Sequence, residues 1–186
     1  MPKPSIINLQ KVCSLFLCFG FLQIAFAQND YVSFEKVEKA FPLNSARLFL
    51  DSEDHAGVHL VAEDLQTDFK KVTGNEPEIS SEEINGKYPV IIGTIGKSKL
   101  IDELITSAKL DVSEIKGNWE NFLIEVVENP SPGVEKALVI AGSDKRGTIF
   151  GMYDLSEKMG VSPWHWWADV PVKKVEQLYV KPGSYT

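Results

Sequence analysis

The chain has 186 residues, 26 of them acidic against 19 basic, for a formal net charge of −7. Such a balance does not offer the basic face that a phosphate backbone demands, so nucleic acid is excluded as a partner. The length is that of one ordinary domain able to bury a core.

Lys3 and Lys11 flank the start of an apolar run, Val12 to Phe26, that is broken only by Ser14, Gly20 and Gln23 and closed by Ala25-Phe26-Ala27. A basic opening, a short apolar stretch and an A-x-A site predict a secretory signal over residues 1–27. The run is shorter than the ~20 residues of a comfortable membrane span, and no later stretch approaches that length, so no span is expected in the mature chain. A lipid anchor at Cys18 is disfavoured because Leu17 is too large for the preceding position. Cleavage after Ala27 removes Cys13, Cys18, Lys3 and Lys11, which leaves 17 basic against 26 acidic residues and a net charge of −9. The product is expected in the periplasm or outside the cell, without disulfides and away from ATP.

Ala46 to Asp51 predicts a strand. Asp54 is placed to cap the next helix, in which Val58, Val61, Ala62, Leu65, Phe69 and Val72 recur at helical spacing before Lys70, Lys71 and Gly74 mark its end. His55 and His59 lie one turn apart, but no cysteine completes a zinc set, so partial burial or capping is expected and no metal. Residues 75–87 read as a loop around a brief strand near Ile79. Tyr88 to Ile92 predict a second buried strand stopped by Gly93. The segment Gly93-Thr94-Ile95-Gly96-Lys97-Ser98 lacks the spacing of a phosphate loop and reads as a strand-to-helix turn. Ser98 then caps a helix burying Leu100, Ile101, Leu104 and Ile105. Asn121 to Glu128 alternate as a long strand, Asn129 to Gly133 force a turn, and Lys136 to Ala141 return as its antiparallel partner. Strand, helix, strand, helix, hairpin, helix implies an α/β (α+β) fold, a mixed sheet with helices packed on it.

Leu138 to Ala141 are wholly apolar, as in a strand buried on both faces, and Gly142 ends them. Ser143 or Asp144 caps a helix in which Ile149, Met152, Tyr153, Ser156 and Met159 share a face and Gly160 supplies the stop. Gly147 and Gly151 lie one turn apart, where missing side chains admit close packing on the sheet. Lys145 and Arg146 oppose the helix dipole. Either they and the free amides hold a carboxylate or phosphate, or Arg146 bridges to a carboxylate.

Pro163-Trp164-His165-Trp166-Trp167-Ala168-Asp169 follows. In an extended segment Trp164 and Trp166 point one way, His165 and Trp167 the other. The tryptophans suit either sugar stacking or a hydrophobic hinge against another domain. His165, with no His or Cys nearby, makes no metal site. Val170 to Val180 read as extended, and Lys181 to Thr186 as the start of a linker.

On these residues, GSDKRGTIFGMYDLSEKMGVSPWHWWADVPVKK resembles the amino-terminal domain of glycoside hydrolase family 115, the xylan α-1,2-glucuronidases. More loosely, Arg146-Gly147 with Phe150-Gly151 resembles the RGxxYG element of the accessory α/β domain of β-hexosaminidases, with Phe150 in the place of tyrosine. The resemblance implies an accessory domain over residues 28–169 and a strand or linker over 170–186 leading to a (β/α)8 catalytic barrel of the same polypeptide. The whole enzyme would remove glucuronic acid or its 4-O-methyl ether from glucuronoxylan with inversion, by two carboxyl groups ~6.5 to 9.5 Å apart. Asp144, Asp154, Glu157 and Asp169 make no convincing pair, so no catalytic residue is assigned and the fragment alone is expected to be inactive. Asp144, Lys145, Arg146, Trp164, His165, Trp166, Trp167 and Asp169 are candidates for touching substrate or another domain. No cofactor is expected, and a homodimer is compatible. A free-standing carbohydrate-binding module and a periplasmic anion-binding protein are the competing readings.

Overall fold

Three segments apolar on both faces, Leu48–Leu50, Val90–Ile92 and Leu138–Ala141, can be satisfied only inside a sheet covered on both sides. The computed structural model describes residues 30–82, 84 and 87–186, with Tyr31–Thr186 as one compact unit. The predicted signal, residues 1–27, lies outside the described residues.

The strands are β1 (Val32–Ser33), β2 (Phe41–Pro42), β3 (Arg47–Leu50), β4 (Ile79–Ser80), β5 (Pro89–Thr94), β6 (Phe122–Ser131), β7 (Val134–Gly142), β8 (Tyr179–Val180) and β9 (Ser184–Tyr185). The helices are α1 (Ala56–Thr73), α2 (Lys99–Thr106), α3 (Lys145–Lys158) and the single turn α4 (His165–Ala168). The main sheet has the order β4-β3-β5-β7-β6-β9. Strands β4, β3, β5 and β7 run parallel, and β6 and β9 add antiparallel neighbours. Strands β1, β8 and β2 form a second, small sheet.

Period-two alternation splits the core in two. Leu48, Leu50, Val90, Ile92, Leu138 and Ile140 face α1 and α3, while Phe49, Ile91, Val139 and Ala141 face α2 and the loop carrying Leu110, Val112 and Ile115. The two long helices lie side by side and run the same way, since Gly57 neighbours Ile149, Asp64 meets Tyr153 and Asp68 meets Ser156.

The predicted mixed sheet with packed helices is present, and local expectations are adjusted in five places. Asp54 does not cap α1. Its carboxylate accepts from the amides of His55 and Thr94, both at 2.7 Å, and ties the start of the helix to the end of β5. Strand β5 continues through Gly93, where Ser98 packs too close for any side chain. Strand β6 continues through Pro130, so the tight turn falls at Pro132-Gly133, with Gly133 at φ 84°. On α3 the inward face is Gly147, Thr148, Gly151, Met152, Leu155 and Ser156, leaving Tyr153 outward. Within residues 181–186, read as the start of a linker, β9 pairs with β6, while β8, in the segment read as extended, pairs with β1 and β2.

Helix α3 ends as its sequence predicts. Gly160 at φ 103° lets Val161 and Gly160 donate back to the Ser156 and Glu157 carbonyls, the paired bonds of a Schellman stop. Its start is pressed onto the sheet. A Cβ on Gly147 would overlap the Asn121 carbonyl, and one on Gly151 would lie 2.8 Å from Ile140 Cγ2. Gly147→Ala should therefore cost about 2 kcal/mol or more through overpacking. Gly57→Ala meets only ordinary contacts, 3.7 Å from Ile149 Cδ1, and should cost nothing measurable in denaturant titration.

Candidate functional site

A βα junction leaves first-turn amides unsatisfied, and what fills them decides whether the junction is free for a ligand. At the start of α3, Asp144 Oδ1 accepts from the Gly147 amide at 2.8 Å and Oδ2 from the Glu120 amide at 3.0 Å. Asn121 and Ser143 are cross-tied: the Ser143 amide and hydroxyl both donate to the Asn121 carbonyl, at 2.9 and 3.0 Å, and the Asn121 amide donates to Ser143 Oγ at 3.1 Å. Glu120 adopts a left-handed φ of 60° to make this junction, and its carboxylate meets Arg146 at 2.7 Å. The Arg146 guanidinium also lies over the Phe150 ring, 5.5 Å from its centre.

Of the two readings of Lys145 and Arg146, this favours the bridge from Arg146 to a carboxylate over a bound anion. The chain's own carboxylates occupy the helix start, with Asp144 on the amides and Glu120 on Arg146. The start of α2 is closed in the same way, as Asp51 Oδ2 accepts from the Lys99 amide at 2.9 Å. Between these helix starts the Thr94 and Thr148 hydroxyls share a buried bond of 2.8 Å. The ends of the parallel strands, where an open α/β sheet usually binds its ligand, are thus internally satisfied. Lys145 is exposed and has no ion pair among the described residues. His55 stands at the cap position of α1 without a side-chain cap bond, and His59 Nε2 is buried without a partner. Among the described residues no group of three His, Cys, Asp or Glu is placed to hold a metal, and no helix is long and apolar enough to cross a membrane.

The tryptophan segment is not extended. Trp164 to Ala168 coil into α4, with Ala168 donating to the Trp164 carbonyl at 2.8 Å, so strict alternation does not apply. His165 Nδ1 donates to the Val170 carbonyl at 2.9 Å, and Asp169 closes the turn at φ 50°. Trp164 is 66% exposed and Trp167 84%. The two groups of candidates are not brought together. Asp144, Lys145 and Arg146 stand at one end of α3 and Trp164 to Asp169 beyond the other, separated by roughly 20 Å of helix.

Along that helix lies what sequence reasoning missed. A cleft of about 860 Å³ runs between α1 and α3, lined among others by Asp64, Asp68, Phe150, Tyr153, Glu157 and Trp167. Burial raises the Tyr153 hydroxyl above its ordinary value, and the charge of Asp64, which accepts its hydrogen bond at 3.2 Å, adds to that. Trp119, 85% exposed beside Glu120, was also missed. A lone tryptophan in a polar loop carries no periodic signal, and Asp64 and Tyr153 meet only through tertiary packing.

Fold and sequence together define an accessory α/β domain of the glycoside hydrolases. The family described as the N-terminus of glycosyl hydrolase family 67 matches residues 31–155, and the chain belongs to it. A solved structure of a family 115 4-O-methyl-α-glucuronidase, with specificity for decorated arabinogalactans, is 32% identical at a TM-score of 0.59, over 78% of this chain and 17% of its own. The chain therefore spans only that small share of the relative's length. A second solved structure, of CpGH84D, aligns at 10% identity and a TM-score of 0.46 over 81% of this chain and 22% of its own. No curated protein matches the chain.

The Gly147 amide above all, with the Glu120 amide and Arg146 adding to it, holds the Asp144 carboxyl below its ordinary value. A carboxyl lowered in the folded state stabilises above its unfolded pKa of about 3.9 and loses that contribution as pH falls through the folded value. Asp144→Ala should cost about 1 kcal/mol at neutral pH, as for other lost caps. Equilibrium unfolding against pH should show the deficit shrinking below about pH 4. Arg146→Ala breaks a largely exposed pair and should cost less than about 1 kcal/mol in the same assay.

Proposed function

We propose that this chain is the amino-terminal, non-catalytic portion of a secreted α-glucuronidase that removes glucuronic acid or its 4-O-methyl ether from xylan side chains by inverting hydrolysis. The observation that carries the reading is the similarity to a 4-O-methyl-α-glucuronidase across most of this chain but only 17% of that enzyme. The chemistry of the acids here supports it. Inversion needs one carboxyl group to protonate the leaving oxygen and another to activate water across the sugar. Asp144 is held by amides, and Asp154 accepts from the Tyr31 hydroxyl at 2.7 Å, so both serve the fold. In this reading Trp164 to Asp169 pack against a (β/α)8 catalytic domain of the same polypeptide, which accounts for the exposed indoles of Trp164 and Trp167.

The relative's named specificity favours a second substrate, glucuronic acid on decorated arabinogalactan. Secretion is supported by the apolar segment closed by Ala25-Phe26-Ala27. The 186-residue chain alone should release no uronic acid from glucuronoxylan or from decorated arabinogalactan, and the polypeptide that includes the barrel should release it from one of them. Release by the chain alone would sink the reading. Quenching of its indole fluorescence by neutral xylo-oligosaccharides would favour a carbohydrate-binding module instead. In the larger enzyme, Trp164→Ala with Trp167→Ala should lower the melting temperature.

A further inference from the structure

We propose that the cleft between α1 and α3 seats a basic segment of the catalytic domain, with a guanidinium held between its aromatic wall and its carboxylates. The proposal rests on the reading of this chain as an accessory domain, and it names the chemistry of the partner surface.

The cleft joins two kinds of surface. Tyr153 and Trp167 give it an open aromatic wall, Phe150 at its end lies under the chain's own Arg146 guanidinium, and Asp64, Asp68, Asp154 and Glu157 place four acids along it against Lys71 among the lining residues. The bonds that hold these acids come mostly from hydroxyls. Tyr153 donates to Asp64 at 3.2 Å, Ser156 to Asp68 at 2.5 Å and Tyr31 to Asp154 at 2.7 Å, and Asp68 also meets Lys71, at 3.0 Å. A hydroxyl orients a carboxylate without cancelling its charge. The cleft is therefore aromatic and negative.

That combination selects its occupant. Covering these carboxylates with a purely apolar surface would strand their charge in a poor solvent. An acidic segment, or the uronic acid itself, would be repelled. An arginine satisfies both features, because its flat guanidinium stacks on an aromatic face and forks onto a carboxylate. Surface beyond the cleft also awaits cover. Leu60, one turn before Asp64 on α1, is 63% exposed, and Trp167 at the rim is more so. The family 115 relative, of which this domain spans 17%, has ample chain to supply it.

The test uses the full hydrolase and a reporter cysteine at Thr67, an exposed residue of the cleft. Thiol labelling of the Thr67→Cys enzyme, read by mass spectrometry, should be slow. Adding Asp64→Asn and Glu157→Gln, both exposed positions whose exchange leaves folding intact, should speed it about ten-fold, since like-charge or unpaired contacts weaken docking by that order. Raising salt to about 1 M, where screening acts within about 3 Å, should speed labelling of the parent but not of the neutralised variant. Glu157→Lys should act as the neutralised pair does. Fast labelling from the outset, labelling indifferent to both charge and salt, or protection that appears only with added xylohexaose would overturn the proposal. Loss of stability on Trp164→Ala with Trp167→Ala, alongside an open cleft, would keep the accessory-domain reading and remove this one.

Discussion

The domain depends on one close approach, that of the first turn of α3 to the start of β6. Gly142 and Gly147 bring backbone against backbone there, Gly151 lets the next turn lie on the Ile140 and Phe122 side chains, and a methyl group at any of them would collide with Thr148, Asn121 or Ile140. The approach lets Ser143 and Asn121 exchange hydrogen bonds and lets Asp144 take amides from both segments. Once α3 is seated, α1 has a neighbour to pack on, and the cleft between them follows. Close packing at this junction makes the RG and FG pairs intelligible as steric requirements.

A second consequence concerns chemistry. In an open α/β sheet the carboxyl ends of the strands are where a ligand would find free amides. Here Asp51, Asp54 and Asp144 turn inward and occupy those amides, while Thr94 and Thr148 close the gap between β5 and α3. The domain uses its loops to lock itself. Its exposed chemistry lies instead on the outer face of α1 and α3, where aromatic rings and carboxylates look outward. That division suits a part whose task is to be held by a larger enzyme.

Legibility follows the range of each interaction. Helix α1, the hairpin of β6 and β7, and both ends of α3 are readable because their signals are local: apolar period, a cap, a left-handed glycine. The face of α3 is harder. Apolar period alone turns Tyr153 inward, whereas the small residues at 147 and 151 decide which side can approach the sheet and leave Tyr153 outside. Clustered aromatics favour a strand for the tryptophan run, yet Trp164 to Asp169 coil into a turn closed by Asp169 in the left-handed region. Asp54 has the spacing of a cap, but the Thr94 amide, 40 residues away, claims its carboxylate.

What the sequence alone determined was the run of elements, the mixed sheet and the kinship with glucuronidase accessory domains, since apolar period and a long contiguous motif survive without three-dimensional context. Tertiary structure decided which charges are spoken for. Arg146 meets Glu120 only after β7 returns beside β6 and leads into α3, and Asp64 reaches Tyr153 only because two helices distant in sequence share one face. Hydrogen bonds and ion pairs act over a few ångströms, so their partners are set by packing and not by order along the chain.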